Sequence, residues 1–369
     1  MATLAAGFCL GATPRDPAQA ENSEAQDFPA METFSGKPRD RGRSYGKKHR
    51  DAIQSFLDKE LYSAFIQGPA TKKELLLYAG ACARSVKEYS SALCEELEGI
   101  AEGAAIELEE VVLITLHEEL YHRGALPKVP HCTAVAVGPP NTKNGETLVG
   151  QTWDWMESVF GLSRVSHWQR QEGPSVLAYG FPGMFCGAGL NSAGLALCWT
   201  SASLGDQTLG VRVGIPSYVL LTHLLYQESL DDVISEAKRA INAGWFTFVM
   251  GDARGRLLNI EGSPERIAIE SSEGILTRVG YGSREMTHTL PGEPIKLHVR
   301  CEKFCRQVDA AAGRVDAQSM QKLFQDPKHE ISVGKATIDM MVYDTKERTA
   351  WLSRGPSYRV AWKKFEFPV

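Results

Sequence analysis

The chain has 369 residues, and 40 lysines and arginines stand against 45 aspartates and glutamates, leaving a net charge of −5. That length suits one large domain or two ordinary ones, and the acidic balance gives no electrostatic ground for a nucleic-acid partner. No apolar run approaches the roughly 18 residues that a membrane-spanning helix needs, so no membrane partner is expected.

Taken in chain order, residues 1 to about 45 are rich in Ala, Pro, Glu, Asp and Ser and are expected to form a mobile leader. Thr3 to Ala12 reads like a signal h-region and Ala18-Gln19-Ala20 like a cleavage site, but no basic n-region precedes them. The compartment, cytoplasmic or exported, is left open. The basic cluster from Lys37 to Arg50 is interleaved with Asp40, Gly and Ser and is expected to be a solvated entry to the fold.

From Tyr45 to about Gly124 the pattern is helical: Ile53, Phe56, Leu57, Leu61, Ala64 and Phe65 recur at helical spacing. Leu75 to Gly99 and Glu107 to His122 read as further helices. Within the last, His117-Glu118-Glu119-Leu120-Tyr121-His122 resembles a zinc-protease motif, but its histidines are five apart, about 140° round a helix, and cannot share one face. A solvated helix face is the expectation there, with no metal.

From Cys132 the texture changes to short strands, 132–138, 147–154, 175–180, 184–188 and 194–200, separated by turn signals such as Asn144-Gly145. Helices over Pro216 to Tyr226 and Leu230 to Ala243 follow, then strands at 245–252, 256–261, 265–271 and 274–279. Helices at 294–312 and 317–325 precede a closing hairpin at 335–343 and 348–354. Helices, strands, helices and strands again predict stacked layers in one α+β domain.

Eight cysteines occur without a C-x-x-C, which excludes thioredoxin-like and zinc-ribbon sites. Gly187 to Gly194 lacks the third glycine of a dinucleotide loop, because Ser192 stands in its place; Asn191-Ser192-Ala193-Gly194 reads instead as a strand-connecting turn. No cofactor is implied.

Cys132 stands out. It opens a strand directly after a long helical region, Thr133 follows it, and Asp154 ends the next strand, where an antiparallel pairing would bring the two together. A thiol needs a base to attack an amide. If the 131–132 bond breaks, the freed α-amino group, with a pKa near 7.7–8.0, supplies that base on the same residue. Asp154 would orient the ammonium form. Asn191 and Asn259 are candidate oxyanion donors, though an asparagine at such a turn is commonly structural, and Arg300 is a nearby cation for a carboxylate or the substrate.

These pieces resemble the acyl-coenzyme A:6-aminopenicillanic acid acyltransferase family of N-terminal-nucleophile hydrolases, and are more distantly similar to bile salt hydrolase and penicillin V acylase. The carrying residues are Tyr45-Gly46, Cys132-Thr133, Gly150-Gln151-Thr152-Trp153-Asp154-Trp155, Gly189 to Leu195, Asn259-Ile260-Glu261, Arg300 and Gly355-Pro356. The resemblance implies a four-layer αββα sandwich and autocatalytic cleavage between His131 and Cys132. Residues 46–131 would become a small chain and 132–369 a large one, the two staying associated, with 46–369 one structural domain. Cys132 would be the nucleophile, Asp154 the aspartate near the new amino terminus, Arg300 a supporting arginine and Asn191 an oxyanion residue. Two departures mark this chain: His131 stands where the family has glycine, so that cleavage is either slowed or assisted by His131, and the region from Leu276 to Thr289 lacks the family's oxyanion asparagine, so that either Asn191 with backbone N–H groups suffices, His288 substitutes, or activity is reduced. The implied activity is cleavage of a linear amide of a small N-acyl compound through a thioester. Alternatives are coenzyme-A-dependent N-acyl transfer, with acyl-coenzyme A as co-substrate, and a catalytically weak or silent ligand-binding relative.

Overall fold

The structure is a computed structural model that describes residues 27–63, 71–120, 132–184, 186–201, 212–279, 298–355 and 361–368. His131, His288 and the first 26 residues of the expected leader lie outside the described residues.

Regular structure is present within the stretch expected to be a mobile leader. Strand β1 (Glu32–Ser35) pairs in parallel with β4 (Arg164–Gln169), and helix α1 (Pro38–Lys48) follows directly. The basic cluster is solvated as expected at Lys37, Arg39, Arg43, Lys47, Lys48 and Arg50, but not at Arg41. Arg41 is buried and donates from Nε to Glu96 at 2.5 Å, and Tyr226 donates its hydroxyl to the other Glu96 oxygen at 2.9 Å. Arg39 and Arg43 both pair with Glu102. What the sequence hid is a helix–helix contact. Gly42 and Gly46 on α1 face Gly99 and Gly103 on α4 (Ser91–Ala104), and a Cβ at any of the four would stand inside the van der Waals shell of a carbonyl oxygen on the opposite helix. Small residues four apart let the two backbones touch.

Between and after these come α2 (Arg50–Phe56), a π-helical turn (Leu57–Tyr62), α3 (Lys72–Tyr89), α5 (Leu108–Thr115) and the short α6 (His117–Leu120). Thr71 and Glu74 form a capping box at the start of α3.

Two sheets follow. The first runs β1-β4-β5-β6-β7-β8-β9-β10, with β5 (Val176–Gly180), β6 (Ala188–Asn191), β7 (Leu195–Thr200), β8 (Phe246–Asp252), β9 (Leu257–Gly262) and β10 (Ile267–Ser272). The second runs β11-β2-β3-β12-β13-β14, with β2 (Thr133–Val137), β3 (Leu148–Asp154), β11 (Ile275–Arg278), β12 (Thr337–Asp344), β13 (Thr349–Arg354) and β14 (Lys363–Glu366). Strands β2 and β3 pack face to face on β7 and β8. Helices α7 (Ser217–Leu225) and α8 (Leu230–Arg239) join the N-terminal helices outside the first sheet. Helices α9 (Val299–Ala310) and α10 (Ala317–Gln325) cover the second. This is the four-layer αββα sandwich expected.

Strand alternation assigns each side chain of β3 to a layer. Gln151 and Trp153 face the first sheet, where Gln151 accepts from the Trp199 amide at 2.9 Å and Trp153 stacks on the Trp199 ring at 5.5 Å. Gly150, Thr152 and Asp154 face the helices. A side chain at Gly150 would collide with Met320 and Phe324, so glycine is what lets α10 lie close on the sheet. One expected boundary shifts. The strand placed at 184–188 is β6, four residues later, because Phe181 to Met184 makes a turn with the Met184 amide donating to the Phe181 carbonyl at 3.0 Å. Between the strands expected at 147–154 and 175–180 lies a further one, β4, with Trp168 buried against Phe34 and Tyr45.

Candidate functional site

Thr133, Val135 and Val137 are β-branched and favour a strand. Pairing of Thr133 with Thr152 in the antiparallel β2–β3 ladder fixes the register that sets Cys132 beside Asp154. The buried Cys132 thiol lies 3.8 Å from the Asp154 carbonyl oxygen, to which it donates. From the first sheet, Thr200 donates its hydroxyl to the Cys132 carbonyl at 2.9 Å. The residue is thus gripped by the ends of β3 and β7, one from each sheet.

Arg300 sits in the first turn of α9, where the His298 ring accepts its amide at 3.2 Å. Its Nη1 donates to Asp154 Oδ2 and to Thr133 Oγ1, both at 2.8 Å. Thr337 on β12 donates to Asp154 Oδ1 at 2.6 Å, and Thr133 in turn donates to the Ile331 carbonyl at 3.3 Å. One guanidinium therefore binds the residue after the cysteine to the aspartate. Cys132, Asp154 and Arg300, predicted separately from positions 146 to 168 residues apart in the case of Arg300, converge.

The electrostatics follow from burial. Asp154 is fully buried, which pushes its carboxyl up to about 6, while Arg300 and Thr337 pull it back. Burial also pushes the Cys132 thiol well above its ordinary value, and the carboxylates of Asp154 and Glu118 add to that. In the uncut chain the thiol is a poor nucleophile. A thiol reagent at neutral pH should therefore leave Cys132 of the uncut chain unlabelled, as read by peptide mass mapping; rapid labelling at pH 7 would contradict this picture.

The Asp154 shift has a definite sign. Below about pH 3.8 folded and unfolded chains both hold the proton, between 3.8 and about 6 only the folded chain holds it, and above that neither does. Asp154 contributes stability in acid that is lost as pH rises through 6. The denaturation midpoint of Asp154→Asn relative to the natural chain should rise between pH 4 and pH 6 and stay level above; a difference independent of pH would refute it.

Asn191 does not join this centre. Its amide nitrogen donates to the Leu225 and Gln227 carbonyls at 2.9 and 2.8 Å, and its oxygen accepts from the Leu195 amide at 2.9 Å. It also lies at the opposite end of β6–β7: from Leu195 to Thr200 the strand climbs about 16 Å. All its capacity holds α7 to the turn, which corrects the oxyanion assignment. Asn191→Ala should cost about 1–3 kcal/mol by stranding these groups, seen as a lowered denaturant midpoint, with activity per folded molecule unchanged. Asn259 is two strands across from β7, opposite Val249, and donates its amide to Glu261 at 3.0 Å. It too stands apart from the thiol.

The sequence reading missed a buried turn. His117, Glu118 and Glu119 of α6 are 2%, 0% and 0% exposed, not a solvated face. Glu119 accepts the Ser217 amide at 2.8 Å at the start of α7, and burial pushes its carboxyl up to about 7. The signal was present: Val111 to Leu116 is an unbroken run of apolar residues and one threonine, and a helix apolar all round is a core helix. A second buried group was missed as well, in which Tyr179 donates to Asp339 at 2.7 Å with Arg354 alongside. Among the described residues there is no cluster of side chains that could hold a metal ion, and no helix is long and apolar enough to cross a membrane.

Residues 140–290 match the model of the family described as acyl-coenzyme A:6-aminopenicillanic acid acyl-transferase. The match includes Asp154 and begins after Cys132. The chain is 26% identical over 244 residues to the 40 kDa form of acyl-coenzyme A:6-aminopenicillanic-acid-acyltransferase of Emericella nidulans, covering 63% of each chain. It therefore spans less than two-thirds of the length of that relative. Among solved structures, penicillin V acylase from Agrobacterium tumefaciens is similar with a TM-score of 0.44 and 14% identity, over 63% of this chain and 85% of that one. A conjugated bile acid hydrolase from Clostridium perfringens is similar with a TM-score of 0.42 and 13% identity, over 64% and 97%. The family to which the ordered motifs pointed is the one this chain resembles over its central part, that of the acyl-coenzyme A:6-aminopenicillanic acid acyl-transferases.

Proposed function

We propose that the chain is a self-processing cysteine amidohydrolase or acyltransferase that cleaves a linear amide of a small N-acyl compound. The observation that carries this is the single network running from Cys132 through Thr133 and Arg300 to Asp154. In the uncut chain burial and two carboxylates disfavour the thiolate, and the residue has no amine. Breaking the 131–132 bond creates an α-amino group on Cys132 itself, which takes the thiol proton as sulfur attacks the substrate carbonyl. The ammonium so formed gives its proton to the leaving amine, the C–N bond breaks, and a thioester remains on Sγ. Water, or a second amine, then displaces the sulfur. The ionised Asp154, held by Arg300 and Thr337, favours the ammonium form. His131 in place of glycine puts a β-carbon at the cut and slows it.

The two products stay together in this reading. The N-terminal helices share one apolar core with both sheets, with Leu97, Ile100 and Ile114 on one side of the cut and Trp153, Trp199 and Phe248 on the other, all fully buried.

Release of amine from a panel of N-acyl amides, with hydroxylamine or a second amine offered as competing acceptor, tests the reading. Release that requires Cys132 and partitions between water and acceptor is the expected result. Release that persists in Cys132→Ala, or none from any substrate by a processed chain, overturns it.

A further inference from the structure

The register that sets Cys132 beside Asp154 also sets Gln151 beside the thiol. Ala134 pairs with Gln151, so both side chains leave the face of the sheet that is turned to the first sheet. Cys132, two residues before Ala134, shares that face. Gln151 is its diagonal neighbour across the ladder, roughly 7–8 Å away and within reach of a long side chain. Gln151 is fully buried, and its Oε1 accepts the Trp199 amide of the facing sheet at 2.9 Å. A backbone N–H only donates, so this bond settles which end of the side-chain amide is oxygen and directs Nε2 elsewhere. Nε2 is buried and has no hydrogen-bond partner among the described residues. Buried donors are seldom left so, because each costs free energy. The group it bears on is the Cys132 thiol: burial and the Asp154 carboxylate push that thiol up, and the Gln151 side chain is among the groups that pull it back. The thiol turns its own hydrogen to the Asp154 carbonyl, and the sulfur of a neutral thiol is a weak acceptor, so the donor stays unfilled until the sulfur is negative.

We propose that Gln151 Nε2 is the hydrogen-bond donor that stabilises the Cys132 thiolate as it attacks. The inference rests on the self-processing thiol chemistry proposed above. When the sulfur gives its proton to the freed α-amino group, its negative charge meets an N–H already in place, and a weak contact becomes a charge-assisted one. Gln151 itself gains and loses no proton. The Trp199 amide holds the far end of its side chain, so little reorganisation is needed at the moment of reaction. Arg300 is engaged on the other face of the sheet, by Asp154 and Thr133. The amides of Asn191 and Asn259 are bound elsewhere.

Alkylation of Cys132 by iodoacetamide from about pH 5 to pH 10, read by peptide mass mapping of the purified full-length protein, follows the thiol without any substrate. Gln151→Met keeps the length of the side chain and removes the donor. It should move the midpoint of the labelling curve up by about one pH unit or more. A role limited to holding Trp199 would lower the denaturation midpoint and leave the labelling curve where it was. Should Gln151→Met fail to fold, Gln151→Glu, which still accepts the Trp199 amide but has oxygen in place of the nitrogen, must move the curve the same way. An unmoved curve in the variant that folds, or a Cys132 that is never labelled in the cut protein, overturns the proposal. Intact mass separates the two kinds of failure. A chain that is never cut removes the processing chemistry and this donor with it, whereas a cut chain with an unmoved curve removes the donor alone.

Discussion

Replacing Arg300 with leucine should cost about 3–5 kcal/mol of stability and remove activity, because it takes away the counter-charge that holds the fully buried Asp154 carboxyl down and keeps it ionised. Thr337 and Thr152 would remain as its hydrogen-bond partners, and Thr133 would lose the donor that ties it to the same network. The loss belongs to the broken pair more than to the arginine. Asp154→Asn combined with Arg300→Leu should therefore be less destabilised than Arg300→Leu alone, while remaining inactive. Arg300→Lys keeps the charge but not the planar fork, and should recover part of the stability. Denaturant unfolding of the four proteins decides the matter. A single Arg300→Leu within about 1 kcal/mol of the natural chain would show that the ion pair does not hold the site together.

The second large effect sits far from the thiol. Gly46→Ala should destabilise by about 1–3 kcal/mol or more, even though alanine is the better helix former. The added methyl would meet the Ile100 carbonyl oxygen, which is backbone and cannot rotate aside, so α1 and α4 must separate. Separation would also strain the buried Arg41–Glu96 pair that spans the same two helices. Gly80→Ala on α3 is the control. There the new methyl meets only the Glu109 side chain, which can move, so the change should be neutral or stabilising by up to about 1 kcal/mol. Thermal melts of the two variants should move in opposite directions; equal shifts would mean that the close helix contact carries no special weight.

Much of this architecture was legible because strand alternation and turn residues report local geometry directly. The β2–β3 pair was readable from Thr133 to Val137, from Asn144-Gly145 and from the β-branched and aromatic residues leading to Asp154, and the register followed from antiparallel pairing. What stayed hidden was whatever depends on partners distant in the chain. The α1–α4 contact needs four glycines on two helices about 57 residues apart, and neither half is conspicuous alone. Within Lys37 to Arg50 only Arg41 departs from the solvated reading, because its buried partner Glu96 lies on α4, 55 residues on. Asn191 shows the limit of a resemblance: the turn was correctly read, but only the carbonyls of Leu225 and Gln227, more than thirty residues on, reveal that its amide has no donor left for an oxyanion. The buried His117-Glu118-Glu119 turn failed for the opposite reason, since charged residues were taken as solvated although the helix before them is core.

The central claim, that Cys132 becomes an amino terminus, is tested most directly by the intact mass and N-terminal sequence of the purified protein beside its Cys132→Ala variant. Two co-purifying chains, the larger beginning at Cys132, and a variant that stays whole are what the geometry predicts. A natural chain that remains intact after long incubation, or a cut that the variant makes equally well, would contradict it.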